Sequence, residues 1–244
     1  LGVGSLAGGY AGTFSLDYPI LLCIIFAFAG LLYSWFVLKD EGEKRDFTGS
    51  EKNIAATTRR ALQQSKNNPS LRMTFLLSVL FGIAAFALFN YWQPVMQDIG
   101  GWNTFHMGLF FFLLCLATLA GARISGYLKP DWNSVILVYI LFAVSLFLAG
   151  WVATPIAIAA LILLFNVLIG ISSPIQGTIL NRNTASEIRA TTESINALFS
   201  RLGAMIFGIL VFLSGADQPR LFWLFGAGAL LVGAFIILVF RPKE

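Results

Sequence analysis

The chain has 244 residues, of which 57% are hydrophobic and only 11% charged, with a mean hydropathy of +0.79. Soluble domains carry about 25% charged residues, so this chain has too little polar surface to coat a water-soluble globule. The net charge of +4 does not indicate a nucleic-acid partner, because the sixteen Lys and Arg residues fall in a few segments between apolar runs.

Residues 1–12 are apolar and Gly-rich but too short to cross a bilayer, and read as the last part of a membrane helix. No initiator Met or signal peptide precedes them, so the chain reads as truncated at its N-terminus. Seven later stretches reach the length of about 20 apolar residues that a span needs: 19–38, 73–93, 105–128, 134–153, 155–180, 191–213 and 221–240. They must be helices, since in lipid each backbone amide has to find its partner within its own segment. Their apolar character is too continuous for the alternating strands of a membrane barrel. The predicted fold is an all-α integral membrane bundle of about seven full spans plus part of an eighth. Cys23 and Cys115 each lie in an apolar run and read as small buried hydrophobes.

The segment 39–72 holds eight basic residues, among them Lys44, Arg45, Arg59 and Arg60. Arg123 and Lys129, then Arg182 and Arg189, then Arg241 and Lys243 mark every second connection after it, whereas the intervening loops hold only Arg220. The alternation predicts that the basic side, and with it the C-terminus, is cytoplasmic. Residues 53–66 are patterned for an amphipathic helix, either a gate or lipid-binding element at the membrane surface or a solvated linker. Spans 73–93, 105–128 and 134–153 then run in opposite sense to 155–180, 191–213 and 221–240. Two inverted three-helix units are a recurrent architecture of secondary transporters. The predicted organisation is the end of one bundle (1–38), a cytoplasmic central loop (39–72) and a six-helix bundle (73–244).

Polar residues inside spans are the candidates for function. Asn166, Gly170, Ser173 and Gly177 follow one face of their helix, and Pro174 removes the hydrogen bond to the Gly170 carbonyl, predicting a bend there. That face either lines a substrate path, with Asn166 nearest mid-span, or packs tightly against a neighbour. Glu193, Asn196, Ser200 and Gly203 share a face that reads as turned toward water or a cavity. Arg201 lies 12 positions beyond Arg189, about 18 Å along the helix. It serves either anion binding or ion pairing, or anchors structurally by snorkelling. Trp92 is expected in an interfacial aromatic belt with Pro94 as the helix stop, and Asn90 and Gln93 at the mouth of a cavity. His106, the single histidine, reads as a polar anchor at the interface. No phosphate-binding loop, nucleophile motif or Cys/His cluster with metal-ligand spacing occurs, so no catalytic residue, metal or cofactor is expected.

Pro174-Ile175-Gln176, Asn181-Arg182-Asn183, Ser186-Glu187-x-Arg189-Ala190-Thr191-x-x-Ser194 and Arg201-Leu202-Gly203 resemble the junction of helices ten and eleven in the major facilitator superfamily. Tyr91-Trp92-Gln93-Pro94 with Gly100-Gly101-Trp102 resembles the outer end of helix seven. Gly4-Ser5-Leu6-Ala7-Gly8-Gly9 resembles the glycine-rich end of helix five, with Ser5 where antiporters carry Pro, and Gly121 to Tyr127 a gating loop without its Asp. The resemblance covers the whole chain, with an Arg-Ala-Thr turn similar to that of bacterial efflux-type permeases, and implies the C-terminal part of a secondary transporter in the bacterial inner membrane. It implies a small organic substrate, a proton as coupling ion and an N-terminal bundle as partner, with efflux of drugs or metabolites as the activity. A sugar or metabolite uptake permease and a non-transporting scaffold or receptor of the same fold are the alternatives. Asn90, Gln93, Asn166, Ser173, Gln176, Glu193, Asn196, Ser200 and Arg201 are the expected cavity residues, with Gly170 and Pro174 at the bend.

Overall fold

The computed structural model describes residues 2–37, 54–215 and 218–242. Lys39, Lys44, Arg45 and Lys243, like Asn53 at the start of the expected amphipathic helix, lie outside the described residues. The helices are α1 (Gly2–Ala11), α2 (Asp17–Val37), α3 (Ile54–Asn67), α4 (Pro69–Gly100), α5 (Thr104–Ser125), α6 (Trp132–Trp151), α7 (Pro155–Arg182), α8 (Arg189–Ser214) and α9 (Pro219–Phe240). Seven of them, all but α1 and α3, are long and apolar enough to cross a membrane, and each contains one of the seven predicted spans or most of it, α4 extending well beyond its own.

Local chemistry sets the boundaries. Asn68 caps α4 by accepting from the Ser70 and Leu71 amides, with Pro69 at the first helical position. The Asn103 carboxamide oxygen accepts from the His106 amide at α5, and Asp131 accepts from Ser134 at α6. Pro155 opens α7. α4 does not stop at Pro94 but continues to Gly100, so Asp98 belongs to the helix and not to a loop. The stop is Gly101 in the left-handed region at φ 61°, a conformation open to glycine, its amide donating back to Gln97. A proline inside a membrane helix is tolerated where other groups take up the freed carbonyl.

Trp92 is not in an interfacial belt. It is 2% exposed and packs on Phe110, ring centroids 5.3 Å apart. The reason is that the buried stripe of α4 runs on through Leu88, Trp92, Val95 and Met96. The cysteines also depart from expectation: Cys23 is exposed on α2 and Cys115 is only partly buried.

Side-chain to backbone bonds stitch the helices of the core. The Tyr139 hydroxyl donates to the Leu77 carbonyl at 3.0 Å, the Ser145 hydroxyl to Leu161 at 2.7 Å, and the Trp223 indole to Ala87 at 3.2 Å. Glycine sets the closest approaches. At the α4–α8 crossing, a Cβ on Gly82 would run into the Ser200 carbonyl and one on Gly203 into Val79. At the α5–α7 crossing, Gly121 meets Val167 and Gly170 meets Thr118 in the same manner.

These crossings give residue-level form to the inverted repeat. α4, α5 and α6 correspond to α7, α8 and α9, so the α4–α8 pair maps onto the α7–α5 pair. Both are main contacts, as are α4–α9 and its counterpart α7–α6. Both leading helices also begin with proline, Pro69 and Pro155. Outside this bundle, α1 lies on α5, with Gly9 and Gly108 backbone to backbone. α2 has no buried residue.

The α3 helix forms as predicted from residue 54 onward, but it is neither a solvated linker nor laid free on a surface. Ala61 is 1% exposed and packs with Leu71, Phe75, Leu180, Ile188 and Ile195, apart from the main core. The Gln64 and Asn68 amides both donate to the Asn183 carbonyl, at 3.3 Å. This brings the starts of α4 and α8 and the end of α7 together at the end of the bundle that carries Arg182 and Arg189. Arg241 donates to Asn133 at 2.7 Å, placing the end of α9 beside the start of α6.

Candidate functional site

A polar-lined cavity, open at the basic end of the bundle, lies where α4, α7 and α8 converge. It is a cavity of about 320 Å³ walled by Ser78 and Phe81 of α4, Ser173 and Gln176 of α7, and Glu193, Asn196 and Ser200 of α8. The α8 residues recur every three or four positions, so one helix face presents them all. Glu193 is about 6 Å and Ser200 about 16 Å along α8 from Arg189.

Ser78 donates its hydroxyl to the Asn196 side-chain oxygen at 2.7 Å, and Gln176 donates to the Ser172 hydroxyl oxygen at 2.5 Å. Among the described residues, the Ser173 and Ser200 hydroxyls, the Glu193 carboxylate and the Asn196 amide nitrogen have no hydrogen-bond or ion-pair partner in the protein. Within a membrane-crossing bundle, unpaired polar groups are costly, and they are retained where water or a ligand pairs them. The chamber thus offers donors, acceptors and one carboxylate beside the apolar wall of Phe81.

Five of the nine expected cavity residues meet here: Ser173, Gln176, Glu193, Asn196 and Ser200. Asn166 does not line the chamber. It is 4% exposed and donates to the Ile162 carbonyl of its own helix. Gly170 serves the α5–α7 crossing, and α7 is continuous through Pro174. The stripe through Asn166 and Gly170 is therefore a packing face there and a cavity face only from Ser173 onward. Asn90 and Gln93 are exposed away from the chamber, with Asn90 donating to Phe86. They also stand apart from a cavity of about 510 Å³ at the opposite end of the bundle, where Asp98 and Arg220 face the same space. His106 is exposed at the α5 cap. Arg201 borders a separate, apolar groove on the next face of α8. Ser78 escaped the sequence reading although it continues the i, i+4 spacing of Ser70 and Thr74, a polar stripe that could have marked it.

The profile of the Major Facilitator Superfamily matches residues 1–208. The chain belongs to this superfamily. It is similar in fold to a bacterial homologue of the human lysosomal transporter Spinster, solved in an inward-facing and unoccupied conformation, with a TM-score of 0.55 and 13% identity. That match covers 97% of this chain and 62% of the other, so the chain spans less than two thirds of that structure. No curated protein matches the chain. As a superfamily member with seven helices long and apolar enough to span, the chain is a multi-pass membrane protein, and the α4–α7–α8 chamber is a polar-lined cavity within its bundle.

Proposed function

We propose that the chain works as part of a secondary active transporter that exports small organic molecules by alternating access. The carrying observation is the chamber itself: unpaired Ser173, Glu193 and Ser200, with Asn196 bonded to Ser78 through its oxygen alone, gathered between helices of the two three-helix units. In this reading residues 73–244 are one rocking bundle, and an N-terminal bundle, to which α1 and α2 belong, closes the other side of the path. The basic end is cytoplasmic, as the charge alternation requires, which puts the C-terminus inside the cell and the chamber mouth toward the cytoplasm of a bacterial inner membrane. The coupling ion is the proton. Glu193 is the one carboxylate lining the chamber, and the principal proton-coupling carboxylate lies in the N-terminal bundle.

Accumulation of dyes, antibiotics and sugars in cells expressing the full-length protein, with and without a protonophore, tests this reading. The expected result is lowered accumulation of at least one compound that the protonophore restores. Raised accumulation would replace export by uptake, and no change for any compound would favour a scaffold.

A further inference from the structure

Arg201 is the twelfth residue beyond Arg189 in a helix of 26 residues, so it stands near the middle of a span about 39 Å long. It lies past the polar first turns of α8, and the helix continues from Leu202 to Leu213 as an almost wholly apolar run, so its guanidinium borders the apolar half of the span. Among the described residues it has no acceptor and no acid partner. An unpaired cation at that depth calls for an anion or a water-filled path.

The surroundings specify more. Arg201 forms one end of a groove of about 620 Å³ whose other walls are all apolar: Phe86, Ala204, Met205, Gly208, Ile209 and Phe212. These α8 positions recur as i, i+1, i+4, i+5 and i+8, a stripe one helix face wide. From Arg201 to Phe212 the stripe runs 11 residues, about 16 Å. Gly208 leaves open space beside it, and Phe212 is 86% exposed. Ser200, the residue before Arg201, lines the polar chamber, so charge, polar chamber and apolar stripe meet at one turn of α8.

We propose that this groove binds a single-chain amphiphilic anion, its carboxylate or phosphate on Arg201 and its hydrocarbon chain laid along α8 toward Phe212. Charge complementarity fixes the sign of the head, since Arg presents a planar fork suited to such acids. The one-face width of the stripe suits one chain, not the paired chains of a bilayer phospholipid. The inference gives a substrate class to the transport reading and rests on it for flux, but binding is measured independently.

The test is equilibrium binding of radiolabelled dodecanoate to the full-length protein in phosphatidylcholine nanodiscs, with dodecanol as the uncharged comparison. Saturable dodecanoate binding is expected, weakened about tenfold or more in Arg201→Gln and kept within a few-fold in Arg201→Lys, as loss of a charge-assisted bond requires. Dodecanol should bind weakly and equally to all three, and thermal unfolding of each variant checks that it is folded. Equal dodecanoate affinity in wild type and Arg201→Gln would overturn the proposal. So would an absence of binding, as expected if an acid of the N-terminal bundle already pairs with Arg201. Displacement of dodecanoate by phosphatidylglycerol in the nanodisc would reassign the groove to bilayer lipid. Saturable binding without flux would overturn the transport reading while leaving the site standing.

Discussion

Single residues terminate and space the spans. Asp131 takes the Ser134 amide at 2.8 Å, and this bond holds its carboxyl below the ordinary carboxylate range. A carboxyl so lowered contributes stability above its usual titration range and loses it as pH falls through the lowered value. Asp131→Ala should therefore cost about 1 kcal/mol at neutral pH, with the difference from wild type vanishing in acid; parallel melts across pH check this. Glycine at the crossings is the second residue-scale determinant. Gly82→Leu or Gly121→Leu should destabilise by about 1–3 kcal/mol or more, because backbone occupies the space and cannot yield. Gly228→Ala, with nothing within 4 Å, should leave the melting temperature unchanged. The four crossing glycines stood in the sequence among twenty-three; which of them meet another backbone depends on helix pairing, which periodicity within one helix does not encode. Asn196 and Ser200 were legible because they repeat on a polar face. Asn166 was misplaced because a buried Asn bonded to its own helix shows the same pattern as a cavity residue.

At the scale of elements, the span limits followed from apolar length, and the one large miss was the extent of α4. Pro94 signalled a stop, yet the helix ends at Gly101, where backbone geometry and not the missing amide decides. α3 shows the complementary case. Its amphipathic pattern was readable, but its docking partner is assembled from Leu71, Leu180 and Ile188, far apart in sequence. With Ala61 buried in that cluster and Gln64 bonded to Asn183, α3 should move with the bundle as one body. Ala61→Glu forces a charge into the cluster and should release the helix, raising hydrogen exchange of the amides at 58–66 toward that of an undocked segment. Exchange in wild type already as fast as in the variant would show that α3 is undocked in solution.

At the scale of the molecule, the bundle is two inverted triplets whose related helix pairs cross at glycines, with polar groups concentrated where α4 and α7 meet α8. The number and order of the spans were legible because each is a long apolar run bounded by polar connections. The symmetry of the crossings was not, because the two units share packing roles without sharing sequence. The central claim is that the α4–α7–α8 chamber is the substrate path. Its most direct test is a cysteine at Ser173 in the full-length protein with Cys23 and Cys115 replaced by Ala, exposed to a membrane-impermeant maleimide in inside-out vesicles. Leu164→Cys, about two and a half turns earlier and so on the opposite, exposed face of α7, is the control. The account expects rapid labelling at position 173, loss of flux once labelled, and neither effect at 164. Full flux after complete labelling at 173, or labelling no faster than at 164, would contradict it.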